Sequence, residues 1–319
     1  MTAFCWPLQS PKTHKMITSL SQMADSVRTA GRKYRIAVAW GQDQNTIGSL
    51  HRAVNEGFVE AVLIGRVSEI VKVCRETGCD PSLFTVIESD DEKSAAETAV
   101  SMTAEGKTDI VMKGLVGTDK FLRAVMDKEK GLLAPGSVMS YVCAIEIPAY
   151  RKLLFVTDTA VIPFPDLKQK VAMAEYALTM ARRFGIVMPK VALIGASEKV
   201  SDHFPNTLDY AEMCRMAGDG RISPCIMDGP LDLFLACDPE SVNIKGVSTP
   251  VDGDADILLF PSLEACNPFY KSLMLFGKGE LAGMIRGTVK PVVLMSRSES
   301  ELSKYYCVAL ACLMASENN

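Results

Sequence analysis

The segment Pro291 to Ser303, PVVLMSRSESELS, gathers residue types suited to holding an anion. Pro291 to Met295 is a short β-rich apolar run, and Ser298 or Ser300 followed by acids opens a periodic stretch, so a strand runs into an N-capped helix. Such a junction aims free backbone N–H groups and the positive end of a helix dipole at one spot. Arg297 adds a planar fork of donors that matches phosphate or carboxylate, and Ser296 places a hydroxyl beside it. Similar residues follow other apolar runs: Lys113-Gly114, Thr157-Asp158, Asp228-Gly229-Pro230, and Ser262 with Glu264 and Asn267. Ligand crevices of open α/β sheets lie just beyond strand C-terminal ends. Five successive strand ends are therefore expected to deliver polar or small groups to one edge. Each group also has a plainer use. Lys113 suits a solvated surface, Asp158 and Asp-Gly-Pro suit turns, and Glu264 with Asn267, spaced i, i+3, suits a first-turn acid and its partner.

The elements that must position these residues alternate almost from end to end. Arg35 to Ala39, Ala61 to Ile64, Phe84 to Ile87 and Asp109 to Met112 read as short strands, each followed by helical periodicity such as Lys93 to Thr103. After the helix Asp119 to Lys128 the texture changes. Ser137 to Ile147 and Leu153 to Thr157 lie too close for a crossover helix, so they are expected to pair antiparallel or to span two lobes. The pattern resumes with helices at Leu167 to Phe184, Thr207 to Met216 and Leu263 to Phe276, and strands at Lys190 to Ile194, Ser223 to Met227, Ala255 to Phe260, Leu281 to Ile285 and Pro291 to Met295. A final helix, Ser300 to Ser316, carries an apolar stripe, and the first thirty or so residues read as a helix or a loose arm. The fold class is α/β: mostly parallel sheets with helices on both faces, in two lobes, 1–150 completed by 298–319, and 151–297, with a cleft between them.

Composition excludes several classes. Of 319 residues 48% are hydrophobic and 23% charged, enough to bury a large core, and no apolar run is long enough to span a bilayer. The N-terminus, MTAFCWPLQSPKTHK, lacks the basic start and apolar block of a signal peptide, so a cytoplasmic protein is expected. The ten cysteines form no CxxC pair, which fits reduced core residues. A net charge of −4 argues against a nucleic-acid surface, so an anionic ligand must be held by a few placed cations. The three histidines fall outside every strand-end cluster. No HExxH, GxSxG, P-loop or GxGxxG spacing is present, and no metal site is expected.

With these residues in view the chain resembles the phosphate acetyltransferase and phosphate butyryltransferase family. The resemblance is carried by Met112 to Leu132 (MKGLVGTDKFLRAVMDKEKGL), Leu153 to Lys170 (LLFVTDTAVIPFPDLKQK), Pro205 to Ile222, Ile226 to Leu233 (IMDGPLDL), Gly253 to Leu273 (GDADILLFPSLEACNPFYKSL) and Lys290 to Ser300 (KPVVLMSRSES). It covers roughly Ile36 to Met314, and the Lys-Gly-Leu element and overall length look closer to the butyryltransferase branch. The resemblance implies an isocitrate/isopropylmalate dehydrogenase-like two-lobed enzyme, a homodimer, that transfers a short acyl group between CoA and phosphate with no cofactor. Arg297 and Ser296 are then the expected catalytic donors. Lys113, Gly114, Thr157, Asp158, Asp228, Gly229, Pro230, Glu264 and Asn267 are the expected substrate-binding set.

Acyl transfer between phosphate and a thiol needs no covalent enzyme intermediate when both substrates bind together. It does need donors for the oxyanion and a base for the thiol. In the acetyltransferase branch an Asp follows the Ser-Arg pair on the same helix as the proposed base; six residues past Arg297 this chain has Ser303. Glu299, four residues before Ser303, is the replacement candidate, with helix-start stabilisation as its other use. Cys266, where the family shows Gly, and Leu231 to Glu240 (LDLFLACDPE) also depart from the pattern. Two alternatives stand beside the transferase: a metal- and NAD-dependent hydroxy-acid dehydrogenase of similar architecture, and a non-catalytic acyl-CoA or phosphate-binding relative.

Overall fold

A computed structural model describes residues 16–315. The first block of the chain runs α1 (Leu20–Thr29), β1 (Tyr34–Ala39), α2 (Gln44–Asn55), β2 (Val59–Gly65), α3 (Val67–Thr77), β3 (Thr85–Glu88), α4 (Glu92–Ala104), β4 (Ile110–Lys113) and α5 (Thr118–Val125). Short side-chain caps start these helices: Asp43 accepts from the Thr46 N–H at α2, and Asp91 from Lys93 and Ser94 at α4. An antiparallel pair follows, β5 (Ser140–Glu146) and β6 (Leu154–Thr157), with Val142 opposite Thr157. The second block comprises α6 (Leu167–Arg183), β7 (Lys190–Ile194), α7 (Asn206–Gly218), β8 (Ile226–Leu231), α8 (Leu233–Cys237), α9 (Pro239–Lys245), β9 (Ile257–Leu259) and α10 (Leu263–Leu275). The chain then returns through β10 (Glu280–Arg286), β11 (Val292–Val293) and α11 (Glu301–Ala315). The expected N-terminal arm resolves into α1 from Leu20 onward; residues 1–15 and the tail of the last helix lie outside the described residues.

The strands form one mixed, mostly parallel sheet of eleven, ordered β3-β2-β1-β4-β11-β10-β5-β6-β9-β7-β8. Separate sheets for two lobes were expected; the antiparallel ribbon β10-β5-β6 instead sews two parallel blocks together. Three antiparallel steps in a row reverse direction, so the first block's strand ends and the second block's emerge at opposite edges of the sheet. The single ligand edge expected from the sequence is therefore two edges. Periodicity reports that a segment is a strand, not which way it runs beside its neighbour. The return to the first block also comes earlier than residue 298, because β11 pairs in parallel with β4. Asp228-Gly229-Pro230 lies within β8 rather than beyond it, and β8 closes the far edge of the sheet, where an edge strand tolerates Pro.

Packing around β10 decides where the last helix sits. β11 meets β10 at one pair, Ile285 with Val292, and then diverges. The N–H groups of Leu281 and Gly283, which point the same way along the strand, would be left bare. Ser303 Oγ accepts from Leu281 N at 3.1 Å and Cys307 Sγ from Gly283 N at 3.0 Å. Helical residues i and i+4 are ~6 Å apart, close to the ~6.8 Å between alternate strand residues. One face of α11 thus substitutes for a missing strand. Ser303 is 1% exposed, and its proton goes to Glu280 Oε2 at 2.5 Å. Replacing Ser303 with Ala should leave the Leu281 N–H buried and unpaired and lower the unfolding free energy by about 1–3 kcal/mol in urea titration.

Candidate anion site and acyl cavity

The ends of β1, β4 and β11 meet at the start of α11. β4 stops at Lys113 because Gly114 turns tightly under β1: its N–H donates to Ala39 O at 2.8 Å, and a Cβ there would lie 2.5 Å from Trp40 O. Gly114 is therefore required by close backbone approach. Trp40 itself takes the left-handed conformation at φ 56° and carries the Arg66 guanidinium over its ring at 5.7 Å. Past β11, Ser296 and Arg297 occupy the bend before α11, which Ser300 caps by accepting from Ser303 N at 2.9 Å. Ser296 Oγ lies 3.0 Å from Ser298 Oγ, and Ser296 O accepts from Glu299 N at 3.3 Å.

Charge gathers at this junction. Lys113 is 3% exposed and its ammonium donates to Gly114 O at 3.1 Å. Burial, reinforced by the Arg297 and Lys304 cations, lowers its pKa to about 8, while Asp43 and Glu92 pull the other way. Lys304, on α11, is buried and bonded to Asp43 Oδ1 at 3.0 Å and to Thr46 Oγ1 at 3.1 Å. Asp43 Oδ2 is buried without a hydrogen-bond partner among the described residues. Glu92 accepts from Gly117 N and pairs with Lys120, which, with Arg297 further off, holds its carboxyl below the ordinary range. Three cations face two carboxylates here, while Arg297 is exposed and makes no hydrogen bond or ion pair with a described residue. The free donors are concentrated on the solvent side.

On the other side of Ser296 a cavity of about 30 Å³ lies over the β5–β10 ribbon, bounded by Tyr141, Leu281, Met295 and Tyr270, with Ser296 and Glu299 in its wall. Glu299 is half-buried. Burial first, and then the Glu280 carboxylate, raise its pKa; Lys271, a hydrogen bond from Tyr270, and Lys304 oppose the rise. Asn45 Nδ2 holds the Glu299 carbonyl at 3.1 Å, fixing the start of α11 against α2.

The predicted residues divide. Arg297, Ser296, Lys113, Gly114 and Glu299 come together. Asp158 is a pin rather than a ligand: Ala160, Val161, Ile162 and Tyr141 N–H groups and Ser140 Oγ all donate to it at 2.8–3.2 Å. Burial raises its pKa against the pull of those donors. Thr157 is buried beneath it, 3.4 Å from Ser140 Oγ. Asn267 donates to Thr159 O at 2.8 Å, clamping the loop that borders the cavity, whereas Glu264 on the same helix is exposed. Asp228, with its Oδ1 accepting from Gly229 N, remains at the far edge with Gly229 and Pro230. Sequence reasoning missed Asp43, Glu92, Lys304, Tyr141, Thr159 and Tyr270. The capping position of Asp43 after the first strand is the one signal that pointed to any of them.

A family model described as "Phosphate acetyl/butaryl transferase" matches residues 91–312. A phosphate butyryltransferase from Clostridium acetobutylicum is 39% identical over 300 residues, covering 94% of this chain and 99% of that one. A phosphate acetyltransferase from Thermotoga maritima is 35% identical over 296 residues, covering 93% and 99%. Among solved structures, a branched-chain phosphotransacylase from Enterococcus faecalis V583 is 30% identical, with a TM-score of 0.77 over 88% of this chain and 99% of that one.

Because the Lys113 ammonium loses its proton near pH 8, kcat/KM for phosphate should fall as pH rises through that value. Lys113→Arg, which stays charged, should flatten that limb in a pH series of initial rates.

Proposed function

The chain belongs to the phosphate acetyl/butyryl transferase family, and from that premise we propose that Arg297, Ser296 and Lys113 bind phosphate and the developing oxyanion while Glu299 moves the proton. The protein is an acyltransferase that moves a short acyl group reversibly between CoA and inorganic phosphate. The observation that carries the residue assignment is the meeting of a cation cluster and a carboxyl-bearing apolar cavity on the two sides of Ser296. A hydrogen phosphate oxygen attacks the thioester carbonyl carbon, the C–S bond breaks, and the phosphate proton passes by way of Glu299 to the leaving sulfur. In reverse, Glu299 takes the thiol proton as sulfur attacks the acyl phosphate. A free thiol near pKa ~8.5 is mostly protonated at neutral pH, so a carboxyl with a raised pKa is the better matched base.

The nearby cysteines do not compete for this role. Burial raises the Cys143 thiol far above its usual range and pushes Cys307 up to about 12. Ser303 is spent on β10, so the carboxylate of the acetyltransferase pattern has its counterpart in Glu299 rather than at position 303. Two parallel blocks joined by an antiparallel ribbon support a dehydrogenase-like two-lobed architecture. In that reading residues 34–125 with 292–315 form one lobe and 154–275 the other. The homodimer, the cytoplasmic location and the absence of a cofactor belong to the same proposal. Among the described residues no helix is long and apolar enough to cross a membrane, and no three His, Cys, Asp or Glu side chains are grouped as a metal site. The family evidence disfavours the dehydrogenase alternative.

Phosphate-dependent CoA release from butyryl-CoA tests the assignment. Arg297→Ala should lose about 10²–10³-fold in kcat/KM while unfolding as the wild type does; full activity would overturn its role. Glu299→Gln should lower kcat by about 10²–10⁴-fold. It should also remove the acid limb, which in the wild type lies above the ordinary glutamate range because the native pKa is raised.

A further inference from the structure

The cavity beside Ser296 is closed on its remaining sides by apolar surface. Leu281 comes from β10, Leu294 and Met295 from the segment after β11, and Ala160 from the loop pinned by Asp158. Tyr141 is buried across Gly283, where a Cβ would collide with its ring, so the ring is held flat against β10 as the cavity floor. Polar groups are confined to one part of the lining, Ser296, Glu299, Thr159 and the tyrosine hydroxyls. An apolar pocket with a few convergent polar groups suits a small ligand with one polar end.

The volume limits the apolar end. A water-sized group takes ~10–15 Å³ on this scale, so about 30 Å³ holds roughly two or three such groups. Methylene and methyl groups are each about that size. We infer that this cavity receives the alkyl tail of the acyl group, with Leu281 and Ala160 as opposing walls that limit it to two or three carbons beyond the carbonyl. The acyl carbonyl then lies at Ser296 and the tail runs over Tyr141. Propionyl and butyryl fill the space, acetyl leaves part of it empty, and each methylene beyond butyryl must displace a wall. The inference rests on the transferase reading and adds the substrate class to it.

The test is a chain-length series, from acetyl-CoA to hexanoyl-CoA with inorganic phosphate, on the wild type, Leu281→Ala and Ala160→Val. Neither side chain belongs to the anion site, and the hydrogen bonds at both positions use the backbone. The wild type should peak at propionyl or butyryl, with kcat/KM dropping about 10–200-fold for the next methylene. Leu281→Ala should move the optimum to longer chains and Ala160→Val to shorter ones. A merely destabilising substitution would lower all rates together, so opposite shifts identify the walls. Turnover with the same chain-length profile in all three proteins, or wild-type hexanoyl transfer as fast as butyryl transfer, overturns the cavity assignment alone. A wild type inert with every acyl-CoA overturns the transferase reading and the cavity assignment with it.

Discussion

The unpaired edge of β10 is the constraint on which the rest depends. A strand in the middle of a sheet cannot leave its N–H groups bare, because a buried unpaired donor costs about as much as a lost hydrogen bond. β11 covers one position and then departs, and α11 supplies Ser303 and Cys307 for the next two. A helix fastened there must begin beside the point where β11 ends. Its first turn therefore lies between the two parallel blocks, with Ser296 and Arg297 in the bend leading to it and Lys304 turned back to Asp43 at the start of α2.

Electrostatics and packing follow from that placement. On one side of the bend the ends of β1 and β4 bring Lys113 under a backbone so close that only Gly fits at 114. On the other side lies the floor of the β5–β10 ribbon, where Glu299 is drawn into partial burial beside Tyr270. Desolvation acts oppositely on the two groups, lowering the lysine and raising the glutamate, which brings both towards neutral pH. Asp158 serves the same site indirectly, since its five donors hold the 159–162 loop that closes the cavity.

Most elements were legible because helices and strands write their periods into the chain, and the strand-to-helix junction at Ser296-Arg297 stood out on residue type alone. Strand direction was not legible. Thr157-Asp158 looks like a ligand-bearing strand end until the antiparallel ribbon turns its block around, and Asp228-Gly229-Pro230 looks like a turn until β8 runs through it. Ser303 was visible as a departure, but its reason lies in the register of β10, more than twenty residues away. The cavity could not be read at all, since Tyr141, Ala160, Tyr270 and Leu281 come from separate segments and each looks like ordinary core. Lys304 likewise sat in an apolar helical pattern with nothing in its spacing to mark it as part of a charge cluster.

The central claim is that both substrates lie together at the start of α11 and react directly, phosphate against the cation cluster and acyl group in the cavity. Initial rates measured with butyryl-CoA and phosphate varied against each other address it most directly. Double-reciprocal lines that intersect are predicted, as for transfer within one ternary complex. Parallel lines, the mark of a covalent acyl-enzyme formed before phosphate binds, would contradict it.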